Sequence, residues 1–401
     1  MLNIRIIYIC CLILTFASCK MKDEITCYGG SDSDLVQLLE KEGYTLKFYP
    51  SVSEALQNAP EKSGVLLLSD SYPVKGTSIS QEDESLIEAK SLRVLVEFPQ
   101  RIGTTDSSKS DTLNLERIVV CDSINTELPF MSLLSFNRCI LKETSDSINH
   151  PILVAAKVAG FDKAVYGLKD TETRPVLYYR TPHLLVSTTC ISHFASDRYM
   201  PEQKIKSLYE YIFRWLLSKN TVTFSSWITY ITPSYTPSDV LPENAGYESI
   251  KKGIEWFYNG HFLVNSEWKQ NWVDKYMGDG TMPIGPSIPD QFQNGDGSLG
   301  VLEGHMSEIR YDGSQLYRYW MRADVQGEAS YAFAAAGDLL ENNEYSKVAT
   351  NLIDYSFKEY RDSERNDPAS PSYGLLGWAY THKGTYYGDD NARFLLGVIA
   401  S

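Results

Sequence analysis

Carboxylates, arginines, histidines and aromatic rings, the residue types of acid/base and binding chemistry, crowd into three loop-like stretches of the chain. They are Asn294-Gly-Asp-Gly-Ser-Leu-Gly-Val-Leu-Glu-Gly-His305, Tyr317-Arg-Tyr-Trp-Met-Arg-Ala-Asp324 and Tyr386-Tyr-Gly-Asp-Asp-Asn-Ala-Arg393. Hydrolysis of a glycosidic bond uses two carboxylates, one to protonate the leaving oxygen and one to activate water or attack the anomeric carbon. Asp296, Glu303, Asp312, Asp324, Asp389 and Asp390 are the carboxylates at hand, and Asp296, Glu303, Asp389 and Asp390 form the candidate catalytic set. Each has a plainer reading beside it. Asp296 fits an Asp-Gly turn; Asp324 and Asp390 fit helix N-caps, with Arg393 a surface residue of the first turn.

The binding groups follow the same pattern. His305, Trp320, Arg322, His382, Tyr386, Tyr387 and Arg393 are the candidate substrate-binding residues. Trp320, Trp378, Tyr386 and Tyr387 can present flat faces to sugar rings or serve as core, and the two histidines can be structural. Arg318, Arg322 and Arg393 suit a substrate carboxylate, which brings a uronic acid into view. Residues 221–401 carry 24 acidic against 13 basic side chains, so a long polyanion would be repelled. A neutral glycan, or removal of a single terminal uronate, fits both observations. A polysaccharide lyase would instead need a base such as Tyr386 or His382 with Arg393 as the neutraliser. A glycan-binding protein without turnover is the third reading.

The elements that must hold these loops change character along the chain. Residues 24–220 alternate apolar runs (Ile25–Tyr28, Thr45–Tyr49, Val65–Leu68, Arg93–Phe98, Ile118–Cys121, Val176–Arg180, Leu184–Thr188) with amphipathic helices at Asp34–Glu42, Glu82–Ala89 and Glu202–Leu217. That alternation predicts an α/β domain with a mostly parallel sheet. A Pro-rich linker occupies 221–245, where prolines oppose helix and strand alike. Residues 246–401 lose the strand signal and predict an all-α domain, with helices at Tyr247–Tyr258, Asp324–Leu340, Tyr345–Tyr360 and from Asp390 onward. Val325, Ala329, Ala332, Phe333 and Ala336 form one apolar stripe; Val348, Ala349, Leu352, Ile353 and Phe357 form the facing one. The long loops 277–323 and 361–389 separate the hairpins, and loops of that length are usually functional.

The whole chain has 401 residues, 43% of them hydrophobic and 22% charged, with a net charge of −14. The acidity excludes a nucleic-acid binder, whose affinity rests on clustered cations. No zinc spacing is present, Gly295-Asp-Gly297 is too short for a dinucleotide fingerprint, and the twelve-residue calcium pattern is missing around Asn294–Ser298. No cofactor or metal is therefore expected, and the sequence does not fix an oligomeric state.

Residues 1–19 place Arg5 before an apolar run from Ile6 to Phe16, then Ala17, Ser18 and Cys19. This layout resembles a bacterial lipoprotein signal. The resemblance implies lipid on Cys19 and an exported protein anchored to a bacterial membrane, on the periplasmic or surface side of the outer membrane. Of the seven cysteines, Cys27, Cys121, Cys139 and Cys190 then remain, as buried thiols or as one or two disulfides.

Two further resemblances concern the body of the chain. Tyr28-Gly-Gly-Ser-Asp-Ser-Asp34 and the segment Leu184–Leu217, including Phe194-Ala-Ser-Asp-Arg-Tyr-Met-Pro201, resemble the first turn and the closing strand, loop and helix of glutamine-amidotransferase-like domains. That family places a nucleophilic Cys on a tight turn, paired with His. Here the turn reads Ser69-Asp70-Ser71-Tyr72-Pro73, and Cys27, Cys190 and His193 have nothing to orient them. The domain is expected to be non-catalytic and to support its neighbour. The loop motifs of 246–401 resemble the six-hairpin (α/α)6 toroid of glycosidases and polysaccharide lyases, in lipoproteins of polysaccharide-degrading systems. The resemblance implies a glycoside hydrolase of exo-glucuronidase-like activity. A toroid needs about twelve helices, and the chain stops within the apolar run Phe394–Ala400, so an incomplete toroid is expected.

Overall fold

The computed structural model describes every residue except 1–22, 108, 145–147, 149, 230–233, 236–237 and 361–363. The signal-like segment and Cys19 lie outside the described residues. The chain divides into two compact units, Met1–Thr232 with Ile309–Gly313, and Pro233–Glu308 with Ser314–Ser401. No helix among the described residues is long and apolar enough to cross a membrane.

The first unit is built on a nine-stranded sheet. Its strands are β1 (Glu24–Tyr28), β2 (Thr45–Phe48), β3 (Gly64–Leu67), β4 (Arg93–Glu97), β5 (Arg117–Val120), β6 (Leu133–Leu134), β7 (Leu153–Ala156), β8 (Thr173–Thr181) and β9 (Leu184–Ser187). The order across the sheet is β6-β5-β7-β8-β9-β4-β3-β1-β2. Strands β9, β4, β3, β1 and β2 run parallel, as the β/α alternation predicts. The other half is antiparallel, which corrects the expectation of a mostly parallel sheet. The reason is local: only Pro182 and His183 separate β8 from β9, and a link that short permits only a hairpin. β3 and β9 are buried at every position. Alternate residues feed two cores, Leu66, Leu95 and Leu185 in one and Leu67, Val94 and Val186 in the other. Helices α1 (Asp34–Lys41), α2 (Val52–Asn58), α3 (Gln81–Ala89) and α4 (Glu202–Leu216) complete the unit. α3 begins with a capping box in which Ser80 and Asp83 bond each other's backbone N–H.

The second unit contains α5 (Ala245–Asn259), α6 (Ala323–Leu339), α7 (Asn343–Glu359) and α8 (Gly388–Ala400), with a further helical run at 266–277. Ala329, Phe333 and Ala336 of α6 and Val348, Ala349, Leu352 and Ile353 of α7 share one apolar core, and Asn342 caps α7 by accepting from Glu344 N–H at 3.0 Å. The unit is not purely helical. Two-residue strands β10 (Ile284–Gly285), β11 (Gly304–His305) and β12 (Tyr317–Arg318) form a small antiparallel sheet with β12 in the middle. Two residues are too few to show the period-two alternation by which a strand is read from sequence.

Helix α6 lies between α7 and α8. It meets α8 at glycines: a Cβ on Gly327 would stand 2.3 Å from Phe394 Cα, and one on Gly397 would stand 2.4 Å from the Gly327 carbonyl oxygen. A side chain at either position forces two backbones apart. Gly397→Val is therefore expected to destabilise the second unit by about 2–3 kcal/mol, seen as a lowered thermal midpoint. Ala392→Val, on the exposed side of α8, is expected to change stability by less than about 0.5 kcal/mol.

Candidate functional site

The close packing of α6 and α8 sets two carboxyl groups side by side. Asp324 lies in the first turn of α6 and is 2% exposed; Asp390 lies in the first turn of α8 and is 6% exposed. Burial first, then the charge of Asp324 and the hydrogen bond between the two, push the Asp390 carboxyl up to about 6; Asp389 adds to the rise and Arg322 opposes it. A buried pair of this kind holds one proton between two carboxyls.

Arginines balance the pair. Arg322 Nη2 donates to Asp324 Oδ2 at 2.9 Å, and Arg393 Nη1 stands 3.6 Å from the same oxygen and 3.7 Å from Glu328. The same Arg322 nitrogen faces Glu303, whose Oε1 lies 3.9 Å from it and 3.4 Å from Arg318 Nη1. One guanidinium nitrogen thus faces both Asp324 and Glu303, which holds their nearest oxygens within about 7 Å of each other. Glu303 Oε2 and Arg322 Nε are buried and have no hydrogen-bond partner among the described residues.

An aromatic wall adjoins the charges. The Arg318 guanidinium lies over the Trp320 ring at 4.9 Å, and Trp320 meets Trp378 edge-on at 5.4 Å. Trp378 in turn contacts His382 at 5.2 Å and the half-exposed Tyr387 at 5.7 Å. Trp320 Nε1 donates to the Gly280 carbonyl, and Thr381 Oγ1 lies 2.8 Å from His382 Nδ1.

Two side-chain amides, one buried and one half-buried, fix the loops that carry these groups. Gln326, on α6, accepts from Val301 N–H at 2.9 Å and donates to Val301 C=O at 2.7 Å, two residues before Glu303. Asn391, on α8, accepts from Leu376 N–H at 2.8 Å and donates to Leu376 C=O at 3.1 Å, two residues before Trp378. Backbone bonds from Glu303 N–H to Trp320 C=O and from Ala323 N–H to Trp378 C=O then join the loops to one another.

The structure gathers Glu303, Trp320, Arg322, His382, Tyr387, Asp390 and Arg393 of the sequence candidates, with Asp389 exposed beside Asp390. It places Asp296 elsewhere, as an exposed turn residue on the α7 side. Its Oδ1 accepts from Ser298 N–H and Oγ, which holds its carboxyl below the usual value, and Asn351 bonds its carbonyl. That is turn chemistry, not the environment of a proton donor. His305 sits among the rings of Trp256, Phe262 and Tyr317. Tyr386 is half-buried next to Tyr387. Asp312 falls in the segment grouped with the first unit. Sequence reasoning missed the pairing of Asp324 with Asp390 and the roles of Gln326 and Asn391. The available signal for Gln326 was a polar residue in register with Ala329, Phe333 and Ala336 on the buried stripe of α6.

The first unit consumes its own polar groups. Cys27, Cys139 and Cys190 are buried free thiols and Cys121 is half-buried; burial pushes Cys27 and Cys139 up to about 12. A thiol so poised is a poor nucleophile. Fully buried Glu97, at the carboxyl end of β4, accepts from Ile191 N–H and Ser192 Oγ at 2.9 Å, with Cys190 Sγ at 3.8 Å, and burial raises its pKa. Asp34 accepts three hydrogen bonds from Ala195 and Ser196, and Asp70 accepts from Gly30 N–H. Half-buried His193 makes no side-chain hydrogen bond to a cysteine among the described residues, and the Ser69–Pro73 turn holds no thiol. Among the described residues no group of three His, Cys, Asp or Glu side chains has the geometry to hold a metal ion.

No family model, curated protein or solved structure matches the chain.

Two results are expected from this geometry. Asp390 keeps its proton up to about pH 6 in the native state, whereas in the unfolded chain it loses it near its ordinary value of about 4. The native state therefore binds more protons between those values, and this group's contribution to stability falls as pH rises through that window. Carboxyl NMR should show a midpoint near 6 that moves down in Asp324→Asn, where the neighbouring negative charge is gone. Gln326→Leu should leave both polar groups of Val301 buried without partners and destabilise the fold by about 2–4 kcal/mol, measured by urea denaturation.

Proposed function

We propose that this chain is an exported, lipid-anchored, carbohydrate-active protein whose second unit is a glycoside hydrolase removing a terminal sugar from an oligo- or polysaccharide. The observation that carries the reading is the Asp324–Asp390 pair and Glu303 gathered around Arg322, beside Trp320 and Trp378. Asp390, kept protonated up to about pH 6 by its surroundings, is the general acid toward the leaving oxygen. Asp324, tied to Arg322, positions that acid and holds its proton. Glu303, with Oε2 uncommitted among the described residues, is the second carboxylate, acting on water or on the anomeric carbon. Trp378 and Tyr387 supply flat faces for a sugar ring.

In this reading the second unit is a part of an (α/α)6 six-hairpin toroid, and the first is an amidotransferase-like domain that supports it without catalysis. The packed polar groups of the first unit and the paired helices of the second support both assignments. Cys19 is the site of the lipid that holds the protein at a bacterial outer membrane, facing the periplasm or the surface.

The test is product analysis after incubating the purified protein with neutral and uronate-containing polysaccharides. A released monosaccharide is expected, with kcat lowered about 100-fold or more in Asp390→Asn, the usual worth of a general acid. The kcat/KM profile should fall above about pH 6 as Asp390 ionises. An ultraviolet-absorbing unsaturated product would make the protein a lyase. Glycan binding without any product would make it a binding protein.

A further inference from the structure

The arginines of the site already face carboxylates. Arg318 faces Glu303, Arg322 faces Glu303 and Asp324, and Arg393 faces Asp324 and Glu328. Asp389 stands beside them on α8. With Asp390 protonated, three guanidinium groups are outnumbered by the carboxylates around them, and the locality is net negative. A sugar carboxylate entering here would be repelled by Glu303 and Asp324 before it found a guanidinium without an acidic partner. The donors, by contrast, are not all used. Arg322 Nε is buried without a hydrogen-bond partner among the described residues, and the Arg318 guanidinium faces Glu303 and lies over the Trp320 ring. Buried donors of this kind are normally satisfied. A hydroxyl oxygen accepts such a donor and carries no charge.

We propose, building on the glycosidase reading, that the site selects a neutral terminal sugar, with Arg318 and Arg322 donating to its hydroxyl oxygens, and that Glu303 excludes the corresponding uronic acid. Neutralised arginines thus act as hydroxyl donors and not as an anion clamp. Glu303 sets this specificity because it is the acid that both Arg318 and Arg322 face.

The experiment is calorimetric binding of matched, non-hydrolysable phenyl thioglycosides to the full-length protein. Glucoside is compared with glucuronide, and galactoside with galacturonide, so each pair differs only at C6. The expected result is at least tenfold tighter binding of the neutral member of the better-bound pair. In Glu303→Gln the two arginines lose a counter-charge, so the preference should narrow tenfold or invert in favour of the uronide. A wild-type preference for the uronide would overturn the inference and leave the glycosidase reading intact. A neutral preference unmoved in Glu303→Gln would remove Glu303 from the explanation and overturn it equally. The wild-type ratio stands by itself should the variant fail to fold. Binding of no thioglycoside, together with no product from any polysaccharide, would remove the glycosidase reading and this inference with it.

Discussion

The second unit depends on one close contact, between the backbone of α6 at Gly327 and that of α8 at Gly397. Helices packed through ordinary side chains lie 8–10 Å apart; glycines let these two approach more closely. The approach brings their first turns together, and with them Asp324 and Asp390. Each carboxyl then sits at a helix N-terminus, where the aligned peptide dipoles favour negative charge. Those dipoles and Arg322 make the burial of one charge tolerable. A second ionisation is opposed by the first charge and by desolvation, so the proton stays.

Glu303 and Trp378 themselves stand outside the helices and strands, yet the chain carrying each is tied to a helix by a side-chain amide that imitates a backbone partner. Gln326 and Asn391 each both accept and donate at a single residue, Val301 and Leu376 respectively. A two-point attachment fixes orientation as well as distance, which a single hydrogen bond does not. The site groups therefore inherit the rigidity of α6 and α8 although they stand on irregular chain.

Much of this was legible in the sequence, for identifiable reasons. Apolar runs such as Val65–Leu68 and Leu184–Thr188 have few conformations that bury every residue, and period-3.6 stripes such as Ala329, Phe333 and Ala336 have one obvious face. Glu303, Trp320, Arg322 and Asp390 stood out because polar and aromatic residues clustered where no helix face explained them. What was hidden depended on distant pairing. The antiparallel half of the sheet is set by a short link and by partners far along the chain. Asp296, between Gly295 and Gly297, and Asp390, two residues after Gly388, both read as turn or cap residues in the sequence. Only packing separates them: one bonds its own turn in solvent, the other is pressed against a second acid. Asp324 was visible as an N-cap but not as half of a pair, because its partner lies 66 positions away in the sequence.

The Gln326 attachment also bears on how such a chain tolerates change in length. Val301 is anchored and Glu303 follows two residues later, so an insertion or deletion between them would slide the carboxylate off its arginines while leaving every helix in place. The same holds between Leu376 and Trp378. Related chains that keep the site should therefore conserve these two short intervals as strictly as the side chains themselves, and should vary freely in loop length elsewhere. Gap placement in an alignment thus becomes a structural marker of the site.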